Sequence, residues 1–304
     1  MLTSRSEFDH RWMDRYPWAL IDAEWRSELP ADYELHILQP PNLGIDPDRC
    51  PVLLDLRTLC AADHARLMEE HWQQVVKREE TLVSLFFPGE LKIAPLARHL
   101  ANRLALNWPG ISVPKQFRYF DPGTFLQLPR TLGTAGMAWL LGPAVEVLVP
   151  WAGQWNLLTR PDSSGRPCRL GDAEQQALLR IGIVNRVLLQ QTPPQSAMYW
   201  VERSARVDAD VQRAVLIHGL TETADLVCFA QHADTVHPRF DAHPRVALLL
   251  REFSRRELNP LGSEVMPAEL RELFDINLSV ADWQSVAAEL NAAELPCTSK
   301  VCYP

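Results

Sequence analysis

The spacing of apolar residues changes character about halfway along the chain. In the first half, short apolar runs recur between turn-forming residues, at 18–21, 34–38, 52–56, 82–87, 116–120, 144–149 and 155–158. Runs of this length bounded by Gly, Pro, Asn or Asp read as strands. Two helical stripes interrupt them. In the first, Asp63 stands where it can cap, and Met68, Trp72, Val75 and Val76 fall on one face. In the second, Pro95 suits a first turn, where its missing N–H is not needed, and Leu96, Leu100 and Leu104 form one stripe. Strands separated by helices predict a mixed or partly parallel sheet covered by helices, because parallel neighbours need a crossover.

The polar stretch Pro161-Asp162-Ser163-Ser164-Gly165-Arg166-Pro167 marks a boundary, and after it the period is helical. Asp172 and Gln175 read as a capping box ahead of Ala177, Leu178, Ile181, Val184, Leu188 and Leu189. Val207, Val211, Ala214, Val215 and His218 trace a face that ends at Gly219, a favoured helix stop. Further helices are predicted from near Thr221, after Pro244 (Val246, Leu249, Leu250, Phe253) and from Ser279 to Leu290. The expected fold class is α+β: an α/β lobe over residues 1–160 with a mixed sheet covered by helices, then an all-helical lobe over 161–304.

Composition narrows the function classes. The chain has 304 residues, 47% hydrophobic and 22% charged, an ordinary globular balance that buries sizeable cores without staples. A net charge of -8 argues against a nucleic-acid partner, which needs a concentrated basic face. The first residues carry Glu7, Asp9, His10 and Asp14 and no apolar core of a secretory signal, so a cytoplasmic location is expected. The most apolar stretch, 136–153, contains Pro143, Glu146 and Pro150 and reads as a buried strand with flanking turns, so no membrane insertion is expected. Cys50, Cys60, Cys168, Cys228, Cys297 and Cys302 show no paired spacing, which disfavours zinc ribbons and redox motifs and predicts reduced thiols.

Candidate chemistry is sparse. His232, Asp234, His237, Asp241 and His243 bring three imidazoles and two carboxylates within twelve residues, a donor set of the kind that holds zinc. Their spacing matches no common helical or finger pattern, and His237 and His243 each precede proline, which gives the sequence a loop reading. His64 and His71 lie too far apart for a one-turn ligand pair. Ser164 lacks the surrounding glycines of a nucleophile elbow, and Gly133 with Gly136 is too sparse for a phosphate loop. The expectation is a non-enzymatic chain with no catalytic residue, metal or cofactor.

The most specific segment is Phe117-Arg118-Tyr119-Phe120-Asp121-Pro122, followed by Trp139-Leu140-Leu141-Gly142-Pro143, an apolar run, and then Trp151 and Trp155. With Trp18-Ala19-Leu20-Ile21-Asp22-Ala23, and with Gly219-Leu220-Thr221 and Phe240-Asp241-Ala242-His243-Pro244 further on, this order resembles the effector-adaptor, or effector-chaperone, domain family of bacterial type VI secretion systems. The Pro-rich stretch 39–51 and the Cys-containing tail depart from that pattern. The resemblance implies an adaptor that binds a cognate toxin effector and helps load it onto the spike-tip protein. On the residues themselves, Asp121 is expected to cap a turn through backbone amides, and Arg118 to pair with a carboxylate such as Asp22 or Asp55. Arg118, Asp121, Trp151 and Trp155 are the candidate partner-binding residues, because Trp and Arg anchor many interfaces. Two alternatives stand beside this reading: a metal-dependent enzyme using the cluster from His232 to His243, and a structural or regulatory interaction protein unrelated to secretion.

Overall fold

The computed structural model describes residues 2–5, 14–77, 81–108, 111–151, 153–162, 170–190, 196–258 and 269–294. Two compact units emerge, Met1–Ser204 and Ala205–Pro304. The first is built on a seven-stranded sheet, and the described elements of the second are all helices, an α+β chain as the sequence pattern predicts.

In chain order the first unit contains β1 (Leu2–Arg5), β2 (Trp18–Ile21), β3 (Leu35–Ile37), β4 (Val52–Asp55), α1 (Ala61–Lys77), β5 (Val83–Phe87) and α2 (Ile93–Arg103). A two-stranded ladder of β6 (Ala105–Leu106) and β7 (Lys115–Gln116) follows, then α3 (Pro122–Phe125), α4 (Leu128–Leu141), β8 (Glu146–Trp151), β9 (Gln154–Thr159) and α5 (Asp172–Leu189). The large sheet has the order β1-β9-β8-β5-β2-β4-β3. Where the alternation of strands and helices led to the expectation of a mixed sheet, all its described pairings are antiparallel. An inserted helix allows a parallel crossover without demanding one.

The central strands β2 and β5 are buried at every position, which explains why their sequences are unbroken apolar runs. Ala19, Ile21, Val52, Leu54, Val83, Phe86, Leu148 and Trp155 pool their side chains there, and α1 adds Leu67 and Met68. His71 of α1 is also fully buried, its Nδ1 accepting the Val83 N–H at 3.3 Å. The imidazole proton is therefore on Nε2, which meets no acceptor among the described residues. Burial without a counter-charge pushes this histidine down to about 3, so it stays neutral.

The second unit takes over inside α6 (Ala197–His218) and continues through α7 (Thr223–Thr235), a 3-10 turn (Phe240–Ala242), α8 (Pro244–Leu258), α9 (Leu270–Asn277) and α10 (Val280–Glu294). Its core gathers rings from three helices and the turn: Phe229 and His232 of α7, Phe240, Phe274 of α9 and Trp283 of α10. The buried carboxylate of Asp225 accepts the Leu270 N–H at 2.8 Å, which ties the start of α9 to α7. Gly219, at φ 67, ends α6 in the left-handed conformation expected of a helix stop, and Leu220 returns to the core.

Candidate functional site

The segment from Phe117 to Phe120 is not the strand its aromatic alternation predicts. The ladder with β6 ends at Gln116, and Phe117, Tyr119 and Phe120 are all buried, so the rings do not alternate between core and solvent. The Tyr119 hydroxyl donates to the Leu100 carbonyl at 3.2 Å. The turn that follows behaves as its residues dictate. Asp121 is the N-cap of α3, accepting the Thr124 N–H at 2.6 Å, and Pro122 occupies the first turn. Arg118 reaches back to the end of β2, where its Nη2 lies 2.6 Å from Asp22 Oδ2, with Glu24 at 3.6 Å. Burial raises the Asp22 carboxyl above its ordinary range, and Arg118 opposes that rise.

Gly123 is where the two halves of the signature meet. A Cβ there would lie 3.1 Å from Cη2 of Trp151 at the end of β8 and 3.3 Å from Cζ2 of Trp200 in α6. The two indoles meet edge to face at 4.6 Å, and Trp200 Nε1 donates to the Gly123 carbonyl at 3.2 Å. That carbonyl also accepts from the buried amide of Gln127, which in turn bonds Asn185 of α5. Asp121 and Trp151 are thus brought to one junction, while Trp155 goes elsewhere. It stacks on Trp72 at 5.8 Å and packs against His71 and Phe86, with no exposed surface. Trp155 is corrected from a contact candidate to a core residue, because the β8–β9 register turns it into the sheet's packed face. Trp151 is half-buried and Arg118 half-exposed, so these two retain surface.

The Gly142-Pro143 motif closes α4 by a device the linear pattern did not reveal. Gly142 has φ 54, and a Cβ on it would fall 2.0 Å from Cε1 of His99. His99 Nε2 sits 2.8 Å from the Leu140 carbonyl, Arg103 Nε donates to the Trp139 carbonyl at 2.9 Å, and Arg160 bonds the Gly142 carbonyl. Three basic side chains therefore satisfy the orphan carbonyls at the negative end of the helix. His99 and Arg103 lie one turn apart on α2, so their i, i+4 spacing was a readable signal, but nothing linear said which helix end they serve.

The histidine cluster does not assemble. His232 Nδ1 bonds the carbonyl of Cys228 at 2.8 Å, within its own helix, and its ring lies among Phe240, Phe274 and Trp283. His237 Nδ1 accepts from the Arg239 N–H, whereas His243 Nε2 faces Glu289 of α10 at 3.1 Å. Asp241 pairs with His218 at 2.9 Å and lies 3.3 Å from Arg213, which also holds Asp210 at 2.9 Å. Among the described residues no group of three or more His, Cys, Asp or Glu has metal-holding geometry. Burial pushes the Cys228 thiol up to about 12, away from the thiolate form that a nucleophile needs. Cys50 and Cys228 are buried and free and Cys60 is exposed and free; Cys168, Cys297 and Cys302 lie outside the described residues. No described helix is long and apolar enough to cross a membrane.

Searches against protein-family models, curated proteins and solved structures found no match for this chain.

Proposed function

We propose that this chain is a cytoplasmic adaptor, or chaperone, that binds a toxin effector of a bacterial type VI secretion system and helps load it onto the spike-tip protein. The reading begins from the ordered motifs 18–23, 117–122, 139–155 and 219–244. One observation carries it furthest: the signature residues build a fold, while large aliphatic side chains in the helical unit are left outside it. Asp121, Gly123, Gly142 and Trp151 serve a cap, a close approach, a helix stop and a packing contact. Leu216, Ile217, Leu248, Ile276 and Val280 are all more than half exposed, and apolar surface of that kind suits a client. Burial of about 1,600 Å² in total suffices for a stable complex. In this reading the chain performs no bond-making step and holds no cofactor.

The test is co-expression of the tagged chain with the products of the genes adjoining its own, followed by affinity purification and mass analysis. A toxin or spike protein in stoichiometric amount is the expected result. A chain that purifies alone with every neighbour expressed, or that carries stoichiometric zinc lost on His237→Ala, overturns the reading.

A further inference from the structure

The last turn of α6 carries Val215, Leu216 and Ile217, of which Leu216 is 73% and Ile217 69% exposed. Beside them opens a cavity of about 630 Å³, lined by Leu216, Ile217, His218, Gly219, Glu222 and Ser254, with Thr221 between. That volume is within the range of sites that bury a sizeable side-chain cluster or small molecule.

The lining's polar groups are mostly committed. His218 Nε2 is held by Asp241 at 2.9 Å, and the Ser254 hydroxyl lies against the backbone carbonyls of His218 and Leu250. Glu222 differs: it is exposed, and its carboxylate makes no ion pair among the described residues. The unit it belongs to, Ala205–Pro304, holds 15 acidic residues against nine basic ones, a net negative balance that favours a cationic partner. Leu216 and Ile217 both line the cavity and both are exposed, so a side chain entering it meets apolar surface from each.

We propose that the cavity at the end of α6 is a docking site for an amphipathic segment of a partner protein, one that inserts an aliphatic or aromatic side chain between Leu216 and Ile217 and sets a Lys or Arg against Glu222. Naming that partner as the client effector rests on the function proposed above; the chemistry of the segment does not. The apolar rim supplies affinity, and the carboxylate excludes acidic competitors.

Fluorescence anisotropy on the full chain tests this, with a labelled amphipathic Leu/Lys helix as probe and the same helix with Glu in place of Lys as its counterpart. The Leu/Lys probe is expected to bind at least about tenfold tighter than the counterpart, a gap that shrinks with salt. Leu216→Asp with Ile217→Asp is expected to abolish binding, and Glu222→Gln to weaken it several-fold. Glu70→Gln, which removes one exposed carboxylate from α1, is expected to leave it unchanged. Both rim positions are exposed, so the double variant keeps its fold by circular dichroism; if it does not, Glu222→Gln still decides. Equal binding of the two probes, equal weakening by Glu70→Gln and Glu222→Gln, or a dimer in light scattering that the rim variant dissolves, each overturns the proposal. A client that co-purifies with the wild type and equally with the rim variant sinks this site while leaving the adaptor reading intact.

Discussion

The indole of Trp151 covers Gly123, so close that a methyl group on the glycine would stand 3.1 Å from the ring. A turn and a strand that are separated by about thirty positions of sequence are thereby fitted to each other, and the short helix α3 is trapped between them and Trp200.

Gly123→Ala is expected to lower stability by about 1–3 kcal/mol, the usual cost of an added methyl in a filled site. Asp121→Ala removes the cap of α3 and is expected to cost about 1 kcal/mol. Urea denaturation checks both. If Asp121→Ala leaves stability untouched and instead removes client binding, Asp121 belongs to the interface.

Gly142→Ala meets two obstacles, a left-handed backbone and the ring of His99. Its cost is expected to exceed the roughly 1–2 kcal/mol of the backbone strain alone. In a double-mutant cycle with His99→Ala the two losses are expected to be less than additive, since removing the imidazole clears the space a Cβ needs. Additive losses would mean that the ring moves aside without penalty.

His71 sets a pH dependence. Its folded value of about 3 lies below the ordinary histidine value of 6.5, so between these the unfolded chain holds the extra proton. Stability is therefore full above about pH 6.5 and falls as the pH drops toward 3, with a slope approaching about 1.4 kcal/mol per pH unit. His71→Gln keeps an acceptor for the Val83 N–H but does not titrate. The difference between variant and wild type, measured by denaturation from pH 7 to 4, is expected to shift in favour of the variant as the solution becomes more acidic. A difference independent of pH refutes the assignment.

Asp225→Ala leaves the Leu270 N–H buried without its acceptor and is expected to destabilise the helical unit by about 1–3 kcal/mol. Hydrogen exchange is the sharper measure: protection at the start of α9 is expected to fall more than protection in β2 or β5. Uniform loss across the chain would show that Asp225 acts on the whole fold.

Particular residues show what was readable before folding. The short apolar run Trp18–Ile21 between turn signals was legible as a strand, and Asp121 before proline as a cap, though the turn it was expected to cap is the first turn of α3. For Arg118 the sequence leaves carboxylates such as Asp22 and Asp55 open; Asp55 is held by Arg57 and Arg118 pairs with Asp22. The stretch 116–120 misled because alternating aromatics suit a strand, yet here all the rings have cover and the backbone is free to turn. At the start of α5 the N-cap is Gly171 and makes no side-chain cap bond, so the expected capping box around Asp172 does not form. The strand β1 escaped notice because its short, partly polar sequence gains order only by pairing with β9.

Local chemistry, acting over a few residues, marked most of the strands and helices, the cap at Asp121 and the stop at Gly219, whereas the boundary between the two units falls at Ser204/Ala205 inside α6 rather than at the polar stretch after residue 160. Tertiary structure alone decided that the sheet is antiparallel, that His99, Arg103 and Arg160 close α4, that Trp155 is hidden while Leu216 and Ile217 are bare, and that His232, His237 and His243 take separate partners. Those outcomes depend on which distant surfaces meet, and burial, close approach and charge pairing are properties of the pair, absent from either segment by itself.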